Sequence, residues 1–494
     1  MDKLKNTILI AFLLAAGFTM PIQAKLATEN EALTVANNWI SMIIQEQGGW
    51  GDANTAYVEN IQEFRRGERM IGYFCNVKPR GCIVISLRRE LAPVKAYSVR
   101  SNLDPESEEG MVDLIKDCME RILDTIEQLV GPVQTARTED VANIAEIDYR
   151  SAWAELEGDI STVEWDLDYN EGDIGTANYQ EGTWLLTTDW HQRDPFNRDC
   201  PAPPGGDDCT AARCTVGCVA TAAAQIMRYW CWPPHGSGSP YNDPYDWPNM
   251  PNTLTATSPA AQINAVAELC SEIGIAVNMQ YCSGTGNSPC GSGAYVNDME
   301  GVYENNYRYS TLCSRRDRSS YDSAVDWFNL LKIELNENRP TQYRLIGHSI
   351  VADGWRERGS TPIREYHMNY GWLGAVDDIW YAVDGLTQPG GGTWSDEFML
   401  VNILPITSVR HTISGNYPKE GFNYRYFDVD AGGSSATFAA GQNLQFMPNI
   451  IVYSTGTIKF GGNSLFFTRG DMSIGIRTDS GGISLYSGGQ MKFY

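Results

Sequence analysis

The segment that most constrains this chain is residues 215–234, Thr-Val-Gly-Cys-Val-Ala-Thr-Ala-Ala-Ala-Gln-Ile-Met-Arg-Tyr-Trp-Cys-Trp-Pro-Pro. The pattern predicts a buried helix with Cys218 in its first turn. Thr215 reads as the N-cap, Gly217 permits a tight entry, and Pro233 and Pro234 stop the helix. Ala220, Ala222, Ala223 and Ala224 keep one turn slim, so neighbouring elements approach closely. Cys218, Ala222, Gln225 or Ile226, and Tyr229 share one side at helical spacing. A thiol at a helix N-terminus feels the positive end of the macrodipole, which favours the nucleophilic thiolate. A buried structural cysteine is the plain alternative.

The 494 residues suffice for two to four domains. A formal net charge of −24 argues against nucleic acid or an anionic membrane as partner. Residues 1–24 resemble a secretory signal peptide: Lys3 and Lys5 lead an apolar run from Ile8 to Met20, and Ile22-Gln23-Ala24 offers a cleavage site. No later segment has the roughly 18 apolar residues of a membrane helix. The expectation is a secreted protein, extracellular, on the cell surface or periplasmic. Cysteine usage agrees with export. Of twelve cysteines, nine lie between Cys200 and Cys313. With Cys218 set aside as a free thiol, the other eight fit up to four disulfides, although eight cysteines allow about 105 pairings. Cys75 and Cys82 are placed to pair across a hairpin. The Cys209, Cys214, Cys218 spacing suits zinc poorly and no histidine pair accompanies it, so no metal and no cofactor is expected.

Along the chain, residues 31–46 and 111–130 have amphipathic helical periodicity. A hairpin is expected at 71–77 and 82–87, with a strand at 94–99. Together they predict a small α+β domain. Residues 151–192 carry ten acidic residues and no lysine or arginine, the composition of a solvated linker or of a maturation site. A helix is expected at 259–273, then strands at 275–281, 342–353, 363–369, 378–384 and 398–403, an α+β arrangement. Residues 406–494 show short apolar runs separated by glycine turns, which predict an all-β module, a small solenoid or a sandwich.

A nucleophilic thiol needs a base, and imidazole is the usual one near neutral pH. His348 is preferred, in an apolar strand 130 residues after Cys218; His367 is its rival, and His191, His235 and His411 are weaker. Asn369 is suited to orient the imidazole, with Tyr370 and Trp372 walling off the contact. Gln192 is the side-chain candidate for holding an oxyanion, beside the Cys218 backbone N–H.

These segments resemble the streptopain family of cysteine peptidases. Gly-Cys-Val-Ala-Thr-Ala-Ala-Ala-Gln-Ile-Met-Arg-Tyr from Gly217 is similar to its nucleophile segment. Residues 347–354 and 367–372 are similar to its histidine and asparagine segments, and residues 274–281 also match. Gly72 through Ser98 resembles the family's inhibitory pro-domain. The resemblance implies a papain-like two-lobed fold, with Cys218 as nucleophile, His348 as base, Asn369 as orienting residue and Gln192 as oxyanion donor. It implies a substrate cleft at Gly217, Tyr370 and Trp372, bordered by a flexible loop at Gly390, Gly391 and Gly392. It also implies a zymogen whose pro-domain covers the cleft. Departures are Tyr370 where the family usually has tryptophan, Trp230-Cys231 after the helix, and a cysteine-rich insert at 199–214.

The expected organisation is a signal peptide (1–24), a propeptide domain (25–175), a papain-like peptidase domain (176–405) and a β-rich module (406–494). The expected function is secreted cysteine endopeptidase, acting on protein or peptide substrates, with the pro-domain as intramolecular inhibitor. The alternatives are an inactive peptidase-like protein whose β-module binds a cell surface or glycan, and an amidase or acyltransferase on cell-wall peptides.

Overall fold

The computed structural model describes residues 26–108, 110–160, 182–204, 209–284, 290–345, 347–372, 379–384 and 397–405, with the backbone of the strands between 411 and 492. The expected signal peptide, the glycines at 390–392 and residues 161–181 of the acidic linker lie outside the described residues.

Helix α1 (Glu29–Gln47) begins in a capping box, with Thr28 and Glu31 each accepting from the other's backbone N–H. It buries Val35, Trp39, Ile40 and Ile43 against an antiparallel set of four strands, β1 (Tyr57–Arg66), β2 (Arg69–Lys78), β3 (Cys82–Ser86) and β4 (Val94–Ser98). Helix α2 (Gly110–Val130) also packs on these strands, and α3 (Thr138–Ile144) and α4 (Arg150–Glu157) follow. Cys75 and Cys82 are free and buried. The register pairs Cys75 with Ile83 and Asn76 with Cys82, so the two thiols point to opposite faces and do not pair.

The next elements are α5 (Cys218–Trp230), α6 (Ala260–Ala276), a turn α7 (Met299–Gly301) that runs into a π-helical turn (Val302–Asn306), β5 (Ser314–Asp317) and α8 (Ala324–Asn336). Strands β6 (Thr341–Leu345), β7 (His348–Arg358), β8 (Ile363–Asn369), β9 (Ile379–Ala382) and β10 (Phe398–Val401) complete the set. The strand expected at 275–281 is instead the end of α6 and a turn at Asn278 (φ 54°). Burial of Ile273 in the core shared with α5 overrides the β-branched local preference. The single strand expected at 342–353 is a hairpin, β6 and β7, with Leu345 opposite His348 and Gly347 (φ 70°) just before β7. That turn makes His348 the first residue of a strand.

Both sets of strands form one ten-stranded sheet, β1-β2-β3-β4-β9-β8-β7-β6-β10-β5. The join is β4 against β9, pairing Ala96 with Tyr381 and Tyr97 with Trp380. Strand periodicity divides the interior: on β7, Ile350 and Ala352 face one core with α1, α2 and α8, while Val351 faces the other with α5 and α6.

Two disulfides are present among the described residues, Cys209–Cys290 and Cys214–Cys282. They lash the segment entering α5 to the loop after Met279. Cys200, Cys231, Cys270 and Cys313 are buried and not in disulfides, so four bridges do not form among these cysteines.

Nine further strands, β12 (Phe427–Asp430) to β20 (Gln490–Lys492), follow β11 (His411–Ser414). Every third strand stacks in parallel: β12-β15-β18, β13-β16-β19 and β14-β17-β20. This three-sided coil is the solenoid alternative rather than the sandwich, whose sheets are antiparallel.

Candidate active site

Cys218 is the first residue of α5. The N-cap is Gly217 (φ 89°, ψ 138°), not Thr215. Thr215 is drawn away by the disulfide-tethered loop: its hydroxyl donates to the Cys290 carbonyl at 3.2 Å and accepts from Ser292 N–H at 3.1 Å. At Gly217 a Cβ would lie 2.6 Å from Met279 Sδ, so only glycine makes this entry.

The partly exposed Cys218 thiol hydrogen-bonds the His348 ring. Burial pushes its pKa up, but the His348 charge and hydrogen bond, with the Ser349 and Val219 backbone N–H groups, outweigh burial and bring it below the ordinary 9.0. His348 is 8% exposed. Its Nε2 lies 3.0 Å from the Tyr370 carbonyl oxygen. A carbonyl only accepts, so Nε2 carries a proton and Nδ1 is left for the sulfur. The Trp372 ring lies over the imidazole, with centroids 4.5 Å apart.

Asn369, the last residue of β8, does not supply the described acceptor for His348. Its Oδ1 accepts from Gln225 Nε2 at 2.8 Å and from Gly371 N–H at 3.1 Å. Its Nδ2 donates to the Thr188 carbonyl at 2.9 Å and to Gln225 Oε1 at 3.1 Å. The orienting acceptor is a main-chain atom one residue further on. Tyr370 is buried, and Trp372 is half-buried.

Gln192 is half-buried, and its carbonyl accepts from Val216 N–H at 2.9 Å, which ties residue 192 to the segment entering α5. The other described histidines are occupied elsewhere. His367 Nδ1 lies 2.7 Å from Asp353 Oδ1, and its ring stacks on Trp184. His191 Nδ1 accepts from Arg193 N–H, and burial lowers its pKa to about 4. His235 Nδ1 lies 2.9 Å from the Gly236 carbonyl and 3.2 Å from Arg308. His411 begins β11. Sequence reasoning placed Gln225 near the Cys218 side of the helix without giving it a role, and missed Thr188. The signal was a buried amide two helical turns after the nucleophile.

The start of helix α2 lies against this site. A Cβ on Gly110 would stand 3.8 Å from the Trp372 indole.

Residues 190–381 match the peptidase C10 family, and residues 24–122 match the Spi protease inhibitor family. Streptopain of Streptococcus pyogenes is 24% identical over 428 residues, which is 80% of this chain and 95% of streptopain. The thiol protease/hemagglutinin PrtT of Porphyromonas gingivalis is 27% identical over 247 residues, 44% of this chain. The match spans only 26% of PrtT's length. A prointerpain A fragment of Prevotella intermedia has a similar fold, with a TM-score of 0.50 at 20% identity, covering 70% of this chain and 99% of the fragment. The chain thus carries a segment of the peptidase C10 family at residues 190–381, preceded by a Spi inhibitor-like segment at residues 24–122.

Proposed function

We propose that Cys218 and His348 are the nucleophile and base of a cysteine endopeptidase made as a zymogen. The Cys218 thiol at the first residue of α5, lowered in pKa by the His348 ring whose Nε2 lies 3.0 Å from the Tyr370 carbonyl, carries this reading. His348 Nδ1 takes the thiol proton and the thiolate attacks the peptide carbonyl carbon. The oxyanion is held by the Cys218 backbone N–H and the Gln192 side-chain amide. The imidazolium gives its proton to the leaving amine. Water, deprotonated by His348, then hydrolyses the thioester and restores the thiol. Tyr370, through its carbonyl, keeps the imidazole in the tautomer this cycle needs.

Residues 25–175 act as the propeptide and 176–405 as the peptidase. The approach of α2 to Trp372, and of Trp372 to His348, supports occlusion of the cleft by the propeptide. Export follows the n-region and apolar run of residues 1–24. No helix among the described residues is long and apolar enough to cross a membrane.

The test is cleavage of casein by the matured protein with a thiol reductant. Cys218→Ala is expected to abolish turnover, and an epoxide inhibitor to label Cys218. Undiminished cleavage by Cys218→Ala refutes the assignment. An inactive binding protein predicts instead no turnover and no alkylation of Cys218 in the wild type.

A further inference from the structure

We infer that Gln225 is a positioning residue that sets the Cys218–His348 geometry through Asn369 and the Tyr370 carbonyl. The inference rests on the proposed roles of Cys218 and His348.

Gln225 stands two helical turns after Cys218 on α5 and is 0% exposed. A fully buried amide must have its polar atoms bonded, and these bonds converge on the site. Its Nε2 donates to Asn369 Oδ1 at 2.8 Å and its Oε1 accepts from Asn369 Nδ2 at 3.1 Å, a reciprocal amide pair. The same Oε1 accepts from the Thr188 hydroxyl at 2.9 Å and from Trp190 N–H at 3.3 Å. Asn369 Oδ1 in turn accepts from Gly371 N–H at 3.1 Å. That bond spans Tyr370 and fixes the peptide whose carbonyl lies 3.0 Å from His348 Nε2. Gly371 (φ 65°) is pressed onto the same helix, since a Cβ there would lie 2.8 Å from Thr221 Cγ2.

One side chain on the nucleophile's own helix therefore grips the turn that aims the base. It also holds Thr188 and Trp190, which lead directly to Gln192. A hydrogen-bonded amide is directional, whereas a packed methyl group is not. Without the amide pair, the carbonyl wanders relative to Cys218 and the imidazolium is held less well.

The experiment compares matured wild type with Gln225→Met, which keeps length and volume, and Gln225→Glu, which keeps the acceptor oxygens toward Thr188 and Trp190. Either variant suffices if the other fails to fold. Active sites are titrated so that rates refer to competent molecules. The expected result is a kcat lowered about 10- to 100-fold with KM within twofold. The bell-shaped profile of kcat/KM is expected to narrow, its acid limb moving up and its alkaline limb down, because the thiolate–imidazolium pair is less stabilised. A purely structural role lowers the fraction of competent enzyme and leaves both limbs in place, and that outcome overturns the inference. Cys218→Ala is run alongside. If it retains turnover, the proposed active site itself fails; if it is dead while the Gln225 variants match wild type, only the positioning role fails.

Discussion

His348 Nε2 lies 3.0 Å from the Tyr370 carbonyl oxygen, while the neighbouring Asn369 amide is bonded to Gln225 at 2.8 Å. The imidazole is thus met by a peptide oxygen, and the Asn369 amide accepts from Gly371 N–H in the same turn. Asn369→Ala keeps the acceptor and loosens its support. Its kcat/KM is expected to fall roughly 10- to 100-fold, well short of the loss on His348→Ala, on the order of 10⁴-fold or more. Steady-state kinetics on titrated enzyme checks this. Equal losses would place the Asn369 amide in direct contact with the imidazole.

The Cys218 thiol is held below its ordinary 9.0 against an opposing burial effect. A lowered pKa means that the folded state favours the thiolate. Its contribution to stability is complete above the unfolded value and is lost as pH falls through the folded one. Alkylation of Cys218 by iodoacetamide is therefore expected to stay fast below pH 9. In His348→Ala the lowering partner is gone and burial remains, so the midpoint of the rate profile moves up. Mass spectrometry of the labelled peptide across pH reads both profiles.

Cys209–Cys290 and Cys214–Cys282 close sequence separations of 81 and 68 residues. Chain-entropy arguments assign about 4 kcal/mol to a loop of that size. The paired change Cys214→Ala with Cys282→Ala is expected to destabilise the protein by about 2–4 kcal/mol, read as a lower urea midpoint. Because the loop also holds Thr215, activity at low urea should fall too.

Lys95 on β4 bonds Asp384 Oδ2 at 2.7 Å and the Ala382 carbonyl at 3.1 Å, both ends buried. Asp384 Oδ1 also accepts from Ala92 N–H at 3.0 Å. Lys95→Met strands a buried carboxylate, a change worth roughly 3–5 kcal/mol against the docked state. The full-length variant is expected to mature with a shorter lag than wild type, followed by gel electrophoresis. An unchanged lag would remove this contact from the control of maturation.

Burial, then Asp243, raises the Glu268 carboxyl to about 7, and burial raises Glu272 to about 7 as well. Asp199 and Asp246 add to the first, while Tyr245 donates to Glu272 at 2.6 Å. A raised carboxyl pKa stabilises the fold while protonated, and that stability is lost as pH rises through the folded value. The melting temperature is expected to fall between pH 5 and pH 8. Glu268→Gln should flatten the dependence and melt higher than wild type at pH 8. Calorimetry across that range decides it.

Cys218 and His348, the proposed nucleophile and base, are legible as candidates because each stands at an element boundary with a strong local signature. Gly217 enters a helix at Cys218, and the turn at Gly347 starts a strand at His348. The Tyr370 carbonyl was not legible, since a main-chain acceptor leaves no residue type to recognise. Asn369 is selected by its chemistry, and its side chain bonds Gln225, Thr188 and Gly371. Helix α8 carried its signal in Ala324, Trp327, Phe328, Leu331 and Leu335, a buried stripe at helical spacing that the sequence reading passed over. Strand β1 gave almost none, because it is a polar, largely solvent-facing edge. The contact of β4 with β9 joins segments nearly 300 residues apart and has no local pattern at all.

That contact bears on what maturation leaves behind. Were β4 to leave with the proposed propeptide, Trp380 and Tyr381 would lose their backbone neighbour, and a ladder now internal would become a rim. The liberated enzyme would then present an unzipped seam of amides and carbonyls to any extended polypeptide nearby. On the proposed maturation, severance would thereby also create a new surface, and the finished molecule would have to live with it.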